Sequence, residues 1–248
     1  MHYIVLICLL CVHAHATIYL TVTGATVKRA KIAIGQVHPQ DSTGDVQLAR
    51  NVRDQLLSDL EFANIFEFIS ESLYSKLDQP RDVYSMKYEE WTPFGVAFVL
   101  KLGYRLQAGK LVVEAILHDI PGQKKIFATR YQYPAGQYPR LIHTITEDIL
   151  RELTGERGLF LSRILIVCYD LKRHRAPPKE VYVADPDGKN LTQVTLDNTL
   201  SFSPSWMNDG KHITYSQYEW VVSNGFRKRG VVIKKHDLAT GERKILTS

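Results

Sequence analysis

The sequence predicts an export signal, then an α+β domain, then an incomplete all-β region of propeller type. Three observations predict this order. An apolar run over Tyr3–Val12 ends at Ala14-His15-Ala16. Helical and alternating apolar patterns are interleaved from residue 17 to residue 160. Beyond them, short β-type runs separated by Asp, Gly and Pro turns recur in the same order.

The leading run is about ten residues long, the length of a signal-peptide core and too short to cross a bilayer. Its small-x-small ending predicts cleavage after Ala16, leaving Thr17 as the mature N-terminus of a periplasmic chain. Residues 1–16 are therefore read as a signal peptide, although its start carries His2 and no Lys or Arg. Cys8 and Cys11 leave with it. Cys168 remains, inside the apolar stretch Ile164–Tyr169, and is expected to be a buried, inert thiol.

Thr17–Val22 (Thr-Ile-Tyr-Leu-Thr-Val) is β-branched and uncharged, and reads as a short strand. Ala30–Val37 is the first sheet strand, ended by His38-Pro39. Asp45 caps a helix whose apolar face comprises Val46, Leu48, Ala49, Val52, Leu56, Leu57 and Leu60. Phe62–Phe68 leads into a short extended segment, and Ser70–Tyr88 reads as loop with a helical turn. Gly95–Leu102 is a second strand. Tyr104–Leu106 and Lys110–Asp119 form a hairpin around Ala108-Gly109. Lys124–Tyr133 is a further strand. Arg140–Thr154 is a helix with Leu141, Ile142, Ile145, Ile149, Leu150 and Leu153 inward, stopped by Gly155. Together these make a mixed, mostly antiparallel sheet with two helices on one face, over residues 17–160.

Residues 161–248 read differently. Ile164–Tyr169 and Glu180–Ala184 are strands. Asp185-Pro186-Asp187-Gly188 is a tight turn, with Leu191–Thr195 as the hairpin partner. A turn over Ser203–Lys211 leads into strand His212–Gln217, and Trp206 is expected to pack between blades. Val231–His236, Asp237–Gly241 and Arg243–Thr247 then repeat the strand, turn and closing strand. The period is about 50 residues, near that of a propeller blade.

The chain has 45% hydrophobic and 23% charged residues, enough apolar material for a core. Its net charge of +5 is spread along the sequence. The densest runs, Lys172–Arg175 and Arg227–Arg229, are read as solvated loops, with anionic contact as the alternative. No zinc spacing or ribonucleoprotein signature accompanies them, so nucleic acid is not an expected partner. The chain contains no phosphate-binding glycine loop, GxSxG or HExxH. His118 and His143 sit in core-like elements and read as structural. No catalysis, cofactor or metal is expected.

Several of these segments resemble the TolB family. Arg50–Phe66 and Trp91–Leu102 resemble its N-terminal helix and central strand. Leu150-Arg151-Glu152-Leu153-Thr154-Gly155-Glu156-Arg157-Gly158 resembles the stretch joining its two domains, and Ile164-Leu165-Ile166-Val167 its first propeller strand. Ser203-Pro204-Ser205-Trp206 with Asp209-Gly210-Lys211 resembles its repeat turn, Met207-Asn208 standing where the family usually has Ser-Pro. The resemblance implies a periplasmic, non-enzymatic component of the Tol-Pal system, which keeps the outer membrane intact and constricted during division. It implies binding of a TolA-like inner-membrane protein through Thr17, Ile18, Tyr19, Leu20, Thr21 and Val22. It also implies binding of the peptidoglycan-associated lipoprotein through the propeller, with at most peripheral membrane contact. The composition of Thr17–Val22 suits strand addition and equally suits an ordinary edge strand. Residues 161–248 supply about one blade and part of a second, so most of the lipoprotein-binding surface is expected to be missing and a truncated form is implied. The alternative is a fragment of a propeller-gated peptidase or hydrolase lacking its catalytic domain.

Overall fold

The computed structural model of the chain describes residues 29–41, 44–74, 83–169, 178–223 and 225–247. Residues 1–16, expected to be a signal peptide, Thr17–Val22 and the basic run Lys172–Arg175 lie outside them.

The chain opens with β1 (Ala30–Pro39), running past His38, followed by α1 (Val46–Ala63). The Asp45 side chain accepts from the Leu48 amide at 3.0 Å, the N-cap its position predicts. Asn64, at φ 58°, turns the chain out of the helix into β2 (Phe66–Phe68). Two short helices follow, α2 (Glu71–Tyr74) and α3 (Tyr88–Trp91). β3 (Phe98–Gln107), β4 (Lys110–Asp119) and β5 (Lys124–Pro134) form a meander. Gly95–Leu102 and Tyr104–Leu106 are thus largely one strand, paired with β4 from Phe98 to Gln107. Ala108 and Gly109 both have positive φ, as a two-residue hairpin turn of this twist requires. α4 (Tyr138–Thr154) starts two residues before Arg140, with proline in its first turn, and ends on Gly155 at φ 75°.

The sheet order is β2-β1-β3-β4-β5. β2, β1 and β3 are parallel, whereas β3, β4 and β5 are antiparallel, so the pairings divide evenly between the two kinds. α1 and α4 cover one face. Val52, Leu56 and Leu60 meet Leu141, Ile142, Ile145 and Ile149 over Ile32, Ile34, Leu100, Leu102 and Leu117. Val46 is not part of this face: as the first residue of α1 it lies 74% exposed. The opposite face carries a smaller cluster of Ala33, Val99 and Ile120 with Tyr74 and Trp91.

His118 is buried among β3, β4 and α3. Its Nδ1 is 3.1 Å from the Tyr88 hydroxyl and its Nε2 has no hydrogen-bond partner. Burial, reinforced by Lys101 and Lys125, lowers its pKa to about 4. The unfolded chain therefore takes up a proton that the native state refuses. Stability should fall by roughly 3 kcal/mol as pH drops from the unfolded value of 6.5 to about 4. Urea melts across that range should show a shallower pH slope for His118→Gln; identical slopes would exclude this assignment.

After α4 come β6 (Ile164–Cys168), β7 (Glu180–Ala184) and β8 (Thr192–Gln193), a three-stranded antiparallel sheet in sequence order. Cys168 is half-buried, not enclosed, because β6 is an edge strand. A second sheet contains β9 (Ser201–Trp206), β10 (His212–Ser223), β11 (Phe226–Asp237) and β12 (Arg243–Thr247), again consecutive and antiparallel. This is the up-and-down order of a propeller blade.

Two expectations change here. Ser203–Trp206 is strand, not turn. Ser203 and Pro204 together face Tyr215 across a bulge, with Ser203 at φ 52°, and a bulge is where a sheet accommodates proline. Arg227–Arg229 is also strand, because β10 and β11 stay paired out to Ser223 and Phe226. Trp206 packs where expected, with Val181, Ile213 and Tyr215 in a small core between the sheets. Arg163 lies 5.0 Å from its ring centroid. The recurring aspartates have a common role. Asp187, Asp209 and Asp237 each accept from backbone amides two or three residues ahead and so hold their turns.

Candidate interdomain site

Along the apolar side of α1, Gln55 and Asp59 interrupt the hydrophobic series. Spaced four apart, they share one face, and both are buried. Opposite them on α4, His143 and Thr146 are spaced three apart and equally buried. A buried carboxylate is costly unless paired and fully hydrogen-bonded. Asp59 meets that condition. It accepts from His143 Nδ1 at 2.8 Å, Thr146 Oγ1 at 3.2 Å and Gln55 Nε2 at 2.7 Å.

The turn between β7 and β8 closes this cluster. Gly188, at φ 80°, lets the turn fold tightly, and the Gly188 amide donates to the Asp185 carbonyl at 2.9 Å. Asp187 and Lys189 are thereby aimed at α1. Gln55 Nε2 reaches Asp187 Oδ2 at 3.3 Å, and Lys189 Nζ donates to Gln55 Oε1 at 3.0 Å. Asp185 Oδ2 lies 3.5 Å from His143 Nε2, which makes no hydrogen bond. Burial lowers the His143 pKa, but the Asp59 hydrogen bond and the charges of Asp59, Asp187 and Asp185 outweigh it, and the net shift is upward. Burial raises the Asp187 pKa; the Lys189 amide, Gln55 and the Lys189 ammonium reverse that, and the net shift is downward. Both shifts run toward the charged forms.

The connection after α4 is tied to the same place. The Gly158 amide donates to Glu147 Oε1 at 2.7 Å, and a Cβ on Gly158 would fall 2.7 Å from Glu147 Oε2. A larger residue at Gly158 would thus have to displace the Glu147 carboxylate that its amide holds. Phe160 completes the seam, with its ring 5.9 Å from Phe62 and 6.1 Å from His143.

The geometry narrows what this cluster can do. Ligand atoms of Asp59, His143 and Asp187 lie within 4.8 Å of one another, a spacing that could hold a cation. Yet both Asp59 oxygens already accept protein donors, and Lys189 Nζ sits 3.3 Å from Asp187 Oδ2. Positive charge there comes from Lys189. Nor is this a nucleophile and base: the Thr146 hydroxyl donates to Asp59, not to the imidazole. The arrangement is suited to holding a propeller-type turn against a helix pair.

None of the residues singled out in the sequence for partner binding, Thr17–Val22, lies among the described residues. His143, read as structural, does satisfy Nδ1, but its seam with Asp185 and Asp187 was not foreseen. The available signal was Gln55 and Asp59 at helical spacing inside an apolar stripe.

These features define a class: an α+β domain pinned through its helix pair to the opening sheets of a propeller-type region. Residues 18–126 match the TolB amino-terminal domain. Residues 18–126 thus carry a TolB-type amino-terminal domain, and the chain is similar to TolB proteins. It is 34% identical over 173 residues to the Tol-Pal system protein TolB of Alcanivorax borkumensis, covering 69% of this chain and 38% of that one. To the protein of the same name from Nitrosococcus oceani it is 29% identical over 238 residues, covering 94% and 51%. The crystal structure of TolB from Acinetobacter baumannii shares the fold, with a TM-score of 0.63 at 21% identity, over 89% of this chain and 61% of that one. The chain thus spans about half or less of the length of these two curated relatives.

Proposed function

We propose that the chain is a non-catalytic, periplasmic component of a Tol-Pal-type envelope assembly, acting by binding partners. Residues 17–160 are its partner-binding α+β domain and 161–248 the opening of its propeller. The observation that carries this reading is the TolB amino-terminal match over residues 18–126, joined to a 34% identical Tol-Pal relative. On this reading Thr17–Val22 adds as a strand to a TolA-like inner-membrane protein, using uncharged, largely β-branched residues. The propeller-type part contributes to contact with the peptidoglycan-associated lipoprotein, and the system maintains outer-membrane integrity during division. The Asp59–His143–Asp187 seam would carry strain between the two binding surfaces.

The test is calorimetric binding of Thr17–Ser248 to the periplasmic domain of the TolA-like partner, with and without Thr17–Val22. Binding by the longer form and complete loss on deletion is expected, with circular dichroism unchanged. Equal binding by both forms would move the site elsewhere, and binding by neither would overturn the reading.

A further inference from the structure

The β10–β11 hairpin outruns its own sheet. β9 accompanies β10 only between Ile213 and Gln217, and β12 accompanies β11 only between His236 and Ile233. Beyond Tyr218 the two strands pair with each other, through Trp220↔Arg229 and Val222↔Arg227 to Ser223↔Phe226. At about 3.4 Å per residue the arm projects roughly 17 Å.

Two-stranded arms are marginal in water and are ordinarily kept polar. This one is not. Trp220 is 56% exposed, Val222 76% and Phe226 77%. Arg227, Lys228 and Arg229 follow directly. The guanidinium carbons of Arg227 and Arg229 lie 5.2 and 5.5 Å from the Trp220 ring centroid. Between Trp220 and His236 there are five Lys or Arg and no Asp or Glu. The nearest acid, Glu219, is ion-paired with Lys234.

We propose that this hairpin tip docks on an anionic phospholipid surface. The order of residues along the arm follows the polarity of a membrane interface. Val222 and Phe226 at the end enter the acyl boundary, Trp220 sits at headgroup level, and the cations meet lipid phosphates. Stacking on Trp220 occupies the guanidinium faces and leaves their N–H edges free for phosphate oxygens. An acidic protein partner would satisfy the cations but leave the apolar tip in water, which is why lipid is the favoured occupant. Among the described residues no helix is long and apolar enough to cross a membrane.

The test is co-sedimentation of Thr17–Ser248, which lacks the apolar Tyr3–Val12 run, with phosphatidylethanolamine vesicles with and without phosphatidylglycerol. Binding to the anionic vesicles, weakened by salt, is expected. Replacing Arg227, Lys228 and Arg229 by Gln should lower the partition coefficient about five-fold per cation, roughly a hundredfold in all. The double variant Val222→Ser, Phe226→Ser should also lose binding at unchanged charge. Thermal melts matching the parent would show that each variant folds. Failure of the parent chain to bind anionic vesicles overturns the proposal, as does full binding by the serine variant. A concentration-dependent dimer or an acidic-peptide complex that the tip variants abolish, without vesicle binding, would reassign the tip to a protein contact and overturn it too.

Discussion

Replacing Asp59 with alanine should lower the unfolding free energy by about 3–5 kcal/mol, measured by urea denaturation. The cost comes from what remains behind: Asp59 accepts from three side chains in a region closed to water. Without it, a buried imidazole, a hydroxyl and an amide lose their acceptor together. Asp59→Asn keeps the shape and removes the charge, and should fall between. The pH dependence gives a second readout. The His143 pKa is raised, so its contribution is complete below the unfolded value of 6.5 and is lost as pH rises through the folded value. The gap between parent and Asp59→Ala should therefore be widest below 6.5 and narrow in alkali. A loss under about 1 kcal/mol, or a gap that does not depend on pH, would mean that water already fills the seam.

Leu100→Ala should cost about 2–5 kcal/mol, by the same measurement. Leu100 lies on β3, the middle strand of its sheet, fully buried under α1 and α4. Strands on both sides prevent the backbone from collapsing into the space left, so the transfer loss and the cavity both count. The control is Val46→Ala, within about 0.5 kcal/mol, since that side chain stands in solvent. Similar losses at both positions would contradict the packing described.

These contrasts show which information is local. The Asp45 cap, the Ala108-Gly109 turn and the Gly155 stop are legible because each depends on a few neighbouring residues whose conformational preferences are strong. The inward residues of α4 are legible for the same kind of reason, periodicity on one helix. Val46 was misplaced because periodicity gives direction around a helix, not where along it burial begins. The Ser203–Trp206 strand was missed because proline beside serine favours a turn locally. Its place in the sheet depends on pairing with a strand further along the chain, where a bulge accommodates it.

The candidate seam divides in the same way. The sequence alone was sufficient for the domain order, the family resemblance, the helix and strand types, and the uncharged β-branched character of Thr17–Val22. It could not bring Asp59, His143 and Asp187 together, since they come from two helices and a distant turn. Nor could it show that β10 and β11 run on past their neighbours and expose Trp220, Val222 and Phe226. Short-range sterics and hydrogen bonds are written residue by residue. Burial, ion pairing and exposure depend on which remote segments arrive at the same place, and the fold sets that by packing one shared core.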